Sequence, residues 1–197
     1  MEPTVVGLAF AAIFVVELPD KTFLATLVLS TRYRPFLVWI GVGLAFAVQT
    51  GVAVGLGHAA SYLPRDVVQG VAALMFLVGA VILLREGRSH AAAVDGDEYA
   101  ARAGDVHGVK VIAASFLVLF AAEWGDLSQL LTLSLVARYE EPVGVFVGAL
   151  GALLAVSGLA VVAGRTLLRW IPLHVLHFVG AGVCLLLCAI TTWELVR

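Results

Sequence analysis

Two stretches of the chain place a glutamate and an aspartate three residues apart inside otherwise apolar sequence. The first reads Val15-Val16-Glu17-Leu18-Pro19-Asp20-Lys21-Thr22, the second Ala121-Ala122-Glu123-Trp124-Gly125-Asp126-Leu127-Ser128-Gln129. On a helix that spacing puts both carboxylates of a pair on one face. Four carboxylates with a single ammonium, Lys21, cannot all stay ionised in a dry interior. Like charges sharing a site favour protonation, and a bound cation favours the ionised form. The group therefore has two natural states, protonated or cation-filled, as exchange of protons against a cation requires. Thr22, Ser128 and the Gln129 amide add neutral oxygens, so the donor set suits a hard divalent ion such as Ca2+ or Mn2+; zinc or copper would call for cysteine and histidine. Pro19 and Gly125 hold equivalent places in the two stretches, and either can interrupt a helix and turn carbonyl oxygens toward an ion. The competing role for the four acids is a polar network that only holds helices together.

The elements that must carry these acids are membrane helices. Of 197 residues, 61% are hydrophobic and 13% charged, too little charge to cover a soluble domain, which carries roughly 25%. The net charge of −2 suggests neither nucleic acid nor an anionic surface as partner. Cys184 and Cys188, four apart in an apolar run, give no disulfide framework or metal motif and read as packing residues. The start of the chain, with Glu2 and an apolar run interrupted by Glu17, Asp20 and Lys21, reads as a retained helix and not as a signal peptide. Six runs have the length of a bilayer-spanning helix: 5–29, 36–59, 67–84, 109–136, 143–164 and 170–193. Proline or charge closes most of them, as at Arg34-Pro35, Pro64-Arg65 and Glu141-Pro142. An ionisable residue near the middle of such a span usually faces the bundle interior or an ion route. Gln49, Thr50 and Ser157, inside the second and fifth spans, either extend a polar path or bond helix to helix. Lys21 is either an internal counter-charge or snorkels away.

The halves repeat. An offset of 106 places Glu17, Asp20, Thr22, Thr26 and Tyr33 on Glu123, Asp126, Ser128, Thr132 and Tyr139, and an offset of 107 places Pro35, Gly41 and Gly51 on Pro142, Gly148 and Gly158. Three spans per half is an odd number, so the second half enters the membrane upside down. The expected fold is all-α, a polytopic membrane protein of six transmembrane helices built as two inverted three-helix repeats. Residues 1–84 and 109–197 form the repeats and 85–108, with Asp95, Asp97, Glu98 and Asp105, the linker. Eight basic residues flank one face (Arg32, Arg34, Arg85, Arg88, Arg102, Lys110, Arg165, Arg169) against Arg65, Arg138 and Arg197 on the other. This bias puts the linker in the cytoplasm and both termini outside. His90 and His107 are too far apart to be more than weak evidence for a metal site; His174 and His177, three apart at the start of the sixth span, read as an interfacial polar face, with metal binding or pH sensing as the alternative. Trp39, Trp170 and Trp193 read as interface anchors, and Trp124 as a residue packed on or gating the acidic stretch.

At the two acidic stretches the chain resembles the small cation/proton antiporters marked by paired Glu-x-Gly-Asp-(Lys/Arg)-(Ser/Thr) motifs, a family that includes bacterial manganese exporters and the Golgi manganese and calcium transporter. The resemblance implies a secondary transporter of the inner membrane, not an enzyme, with no resident cofactor. Mn2+ or Ca2+ would be bound transiently and exported against protons. Glu17, Asp20 and Thr22 match the first motif, and Glu123, Asp126 and Ser128, followed by Gln129, the second. Pro19 stands where the family has glycine, and Leu127 where it has a basic residue, which leaves the choice between Mn2+ and Ca2+ open. Export of another cation or an amino acid, and a membrane assembly subunit without transport, are the alternatives; no HExxH motif supports a metalloenzyme.

Overall fold

The computed structural model describes residues 2–18, 20–60, 62, 64–88, 106–170 and 173–196. Among these the chain forms eight helices and no strand: α1 Pro3–Glu17, α2 Lys21–Arg32, α3 Pro35–Ala60, α4 Arg65–Arg88, α5 Lys110–Ala122, α6 Leu127–Tyr139, α7 Pro142–Trp170 and α8 Leu173–Val196. Pro3, Pro35 and Pro142 open α1, α3 and α7, the position where a missing N–H costs nothing and a fixed φ favours the helix.

The first and fourth expected spans are not continuous helices. α1 and residues 22–32 of α2 meet at 71°, and α5 and α6 at 73°. α3 and residues 142–162 of α7 are each long and apolar enough to cross a membrane alone, and the bent pairs bring such candidates to four. Within α4 and α8 shorter apolar helices, Gln69–Arg85 and Ala181–Trp193, are described. α4 continues past the expected end at Leu84 to Arg88, so its last turn carries Arg85 and Arg88. Most of the expected linker, residues 89–105 with His90, lies outside the described residues, as does Pro19; so do the side chains of Lys21, Trp170, His174 and His177.

Helices from the two halves interleave. α1 packs on α7 as α5 packs on α3, α2 on α7 as α6 on α3, and α4 and α8 on each other. Glycines set the closest approaches. A Cβ on Gly41 of α3 would overlap the Ile112 carbonyl of α5 and stand 2.9 Å from Ser115 Cβ; a Cβ on Gly148 of α7 would overlap the Val6 carbonyl of α1 and stand 2.9 Å from Ala9 Cβ. Where helices press backbone to backbone, only glycine fits. The α3–α7 contact has the same pairing: a Cβ on Gly158 would lie 3.5 Å from Trp39 Nε1, and one on Gly51 4.0 Å from the Phe146 ring. Trp39, read from sequence as an interface anchor, is half-buried and donates through Nε1 to the Leu154 carbonyl at 3.1 Å. Trp193 is exposed, as an anchor would be. Cys184 is buried and Cys188 half-buried, both as thiols. On α3 the opposite face shows Leu44, Val48, Val52 and Leu56, a stripe four residues apart that lipid would cover.

Candidate functional site

Each broken span interrupts its helix at the acidic stretch. Glu17 is the last residue of α1, and Asp20 precedes α2 with φ −81° and ψ 163°. Asp126 precedes α6 with φ −72° and ψ 168°. The aspartates are thus extended N-cap residues, not a second row on a continuous helical face, and neither side chain caps its own helix. The turns match: Asp20 N–H donates to the Glu17 carbonyl at 3.1 Å, and Asp126 N–H to the Glu123 carbonyl at 3.2 Å. Gly125 makes the second turn with φ +80°, which side-chain-bearing residues rarely adopt.

The bends bring the two stretches together. Glu17, Asp20, Glu123 and Asp126 each offer a carboxylate oxygen, and the four oxygens lie within 4.8 Å of one another. Glu17 and Glu123 are buried, the aspartates half-buried. Charged carboxylates at that separation repel by on the order of 3 kcal/mol per pair at an effective dielectric of about 20. Protons or a bound cation would each relieve that repulsion. Thr22, buried, donates to Glu17 Oε2 at 2.8 Å and reaches Asp20 Oδ2 at 3.2 Å, tying the first pair. Ser128 occupies the matching place on α6 and is buried too. Lys21 opens α2 beside Asp20.

Gln129 takes a position that sequence reasoning did not foresee. Its Oε1 accepts from Gly125 N–H at 3.1 Å and its Nε2 donates to the Glu123 carbonyl at 3.0 Å, so it staples the break. Gln49 of α3 donates through Nε2 to the Phe120 carbonyl at 2.9 Å. The carbonyls loosened at the end of α5 are thus satisfied by amide side chains instead of being turned toward an ion, because a buried carbonyl left without a partner is costly. Ser157 donates to the carbonyl of Leu154 in its own helix at 3.1 Å, and Thr50 is buried in α3. Trp124 is exposed and packs on Phe120 with centroids 5.1 Å apart. Thr26, noticed in the sequence only as a repeat match, is fully buried one turn beyond Thr22; its signal was the four-residue spacing of hydroxyls along α2. His107 is exposed, away from the acids' buried setting.

Gln129→Leu should lower the melting temperature of the purified protein, since it removes the bond to Gly125 N–H and one of the two bonds to the Glu123 carbonyl, at about 0.5–1.5 kcal/mol each. Gly125→Ala should do the same through strain of about 1–2 kcal/mol. Melts indistinguishable from wild type would show that neither residue holds the break.

Apolar helices, two of them broken, with acids gathered where the breaks meet, are an arrangement that secondary transporters use. The family model of the divalent cation/proton antiporter GDT1 matches residues 5–91 and 111–197. The chain belongs to this family, an antiporter and not an enzyme family. A GDT1-like protein of Synechocystis is 32% identical over 92% of each chain. A Vibrio cholerae protein named as a candidate manganese exporter is 30% identical over 96% of this chain and 91% of its own. The chloroplast protein PAM71 of Arabidopsis thaliana is 30% identical over 95% of this chain, which spans 56% of that relative's length. The chain likewise spans 62% of a chloroplast GDT1-like protein of Oryza sativa. No solved structure gives a significant match.

Proposed function

We propose that this protein is a secondary transporter that exports a divalent cation, Mn2+ ahead of Ca2+, in exchange for protons. The observation that carries the proposal is the meeting of Glu17, Asp20, Glu123 and Asp126 within 4.8 Å at two helix breaks. Ion binding displaces protons from the acids and protonation releases the ion, so one cluster couples both flows. Thr22 and Ser128 supply further oxygens, and Gln129 holds the second acidic turn in shape while its amide remains beside the cluster. An all-oxygen set selects hard ions, and the name of the Vibrio cholerae relative favours manganese.

The proposed architecture is six spans, two of them broken, in two inverted repeats at 1–84 and 109–197 joined by the linker 85–108. Supporting it are the family model's two matching blocks and the paired glycine contacts, Gly41 on Ile112 and Ser115 against Gly148 on Val6 and Ala9. In this reading the face with Arg32, Arg34 and Arg85 lies in the cytoplasm of the inner membrane and both termini outside, which the bias of basic residues supports. Gln49 and Ser157 serve helix contacts in this reading, and Thr50 stays an accessory candidate.

The test is equilibrium binding with proton counting. Adding Mn2+ to detergent-purified protein in weak buffer should release protons with saturation, Ca2+ should do so more weakly, and Na+ not at all. Binding without proton release, or none, would contradict a shared site.

A further inference from the structure

We infer that the acidic cluster is reached from one side of the membrane along a ladder of hydroxyls on α2, with Thr26 as its middle rung. This rests on the transport reading and adds a route to it. Thr22, Thr26 and Ser30 follow one another four residues apart, so their side chains share one face of α2. Their exposures are 2%, 0% and 8%. Half-buried Tyr33 continues the line beside exposed Arg32 and Arg34. From Thr22 to Tyr33 a helix rises about 16 Å, half of a hydrocarbon core of about 30 Å. Measured along the axis of α2, the ladder runs from the acidic cluster toward the residues at Arg32 and Arg34.

Thr26 carries the inference. Its Oγ1 is buried and has no hydrogen-bond partner among the described residues, although a threonine in a helix has a carbonyl four residues back within reach. A buried hydroxyl left without a protein partner calls for water or an ion. The matching residue of the other half behaves differently: Thr132 Oγ1 donates to the Ser128 carbonyl at 2.7 Å. Beyond Thr132 the place of Ser30 is taken on α6 by Val136, fully buried, with its Cβ 2.8 Å from where a Cβ on Gly57 of α3 would stand. The row of hydroxyls thus continues past Thr26 on α2 and stops at Val136 on α6, so the ladder serves a divalent cation with part of its water shell on the face that carries Arg32 and Arg34. Ser30 donates its proton to the Leu27 carbonyl at 2.7 Å, which leaves its oxygen lone pairs toward the route as acceptors.

In proteoliposomes, Thr26→Val should slow Mn2+-driven proton movement by about tenfold or more, as loss of one hydroxyl facing a charged species would. Thr26→Ser should keep the flux, and so should Thr31→Val, whose exposed side chain bonds only the Val28 carbonyl. In a background with Cys184 and Cys188 replaced by alanine, Thr26→Cys should react with a small, charged, membrane-impermeant thiol reagent from the face at which Arg34→Cys reacts, and Mn2+ should protect it. Wild-type flux in Thr26→Val, loss of flux in Thr26→Ser, or an unreactive Thr26→Cys would overturn the ladder. Glu17→Gln in the same vesicles separates the two levels: if it is inactive while Thr26→Val is fully active, only the route fails, and if both are fully active the carboxylate site fails as well.

Discussion

Glu17→Gln and Glu123→Gln should each reduce divalent-driven proton movement by about two orders of magnitude, equivalent to roughly 3 kcal/mol, while leaving the protein folded. Both residues are buried and lie in a group of four acids within 4.8 Å. The amide keeps the shape of the carboxyl group but carries no charge and accepts no proton, so cation binding and proton exchange are lost together. Folding responds in the opposite sense. Neutralising one acid of a buried like-charged cluster relieves repulsion, and a neutral polar side chain is easier to hold in an apolar bundle than a charged one. The metal-free variants should therefore melt no lower than wild type. Mn2+ should raise the wild-type melting temperature and leave that of the variants unmoved, because only a ligand that binds the folded state stabilises it. Asp20→Asn and Asp126→Asn should go the same way with smaller losses, their side chains being half-buried. A variant that loses activity and also melts far below wild type would point to a structural network instead.

Gly41→Ala and Gly148→Ala should be the most damaging of the single-methyl substitutions at the helix-contact glycines. Each new methyl would collide with a main-chain carbonyl of a facing helix, Ile112 in one case and Val6 in the other, and a backbone cannot turn aside as a flexible side chain does. Overpacking of this kind costs about 1–3 kcal/mol. Leucine at either position should prevent recovery of folded protein. Gly7→Ala is the contrasting case, since nothing lies within 4 Å of a Cβ there; it should be neutral or stabilise by up to about 1 kcal/mol through better helix propensity. Thermal melts and the folded fraction on size exclusion distinguish these outcomes. Equal stability of Gly41→Ala, Gly148→Ala and Gly7→Ala would show that the α3–α5 and α1–α7 approaches are looser than described.

What the sequence could reveal followed from chemistry that is local in the chain. Acids in apolar surroundings are expensive, so Glu17, Asp20, Glu123 and Asp126 stand out without any structure. The 106-residue offset relates the two stretches, and apolar run lengths mark the helices. The bends were less legible. Pro19 and Gly125 announced that a helix can break but not by how much, and a helical wheel assigns Glu17 and Asp20 to one face when Asp20 is in fact the extended residue ahead of α2. The angles of 71° and 73° depend on packing against α3 and α7, which no local pattern records. For the same reason the sequence leaves Gln129 either an oxygen donor to an ion or a bridge between helices. That its amide spans Gly125 and the Glu123 carbonyl depends on where the turn places those groups. Gln49 reaching Phe120 is a contact between residues 71 apart, again set by tertiary packing.

The central claim is that one cluster of carboxylates exchanges a divalent cation for protons. Purified protein in liposomes with an imposed pH gradient and an internal pH dye tests it most directly, with Mn2+, Ca2+, Mg2+ or Na+ added outside. The expected result is movement of protons driven by Mn2+ and by Ca2+, absent with Na+ and absent in Glu17→Gln and Glu123→Gln. Proton movement with no divalent cation in wild type, or equal movement in wild type and both variants, would contradict it.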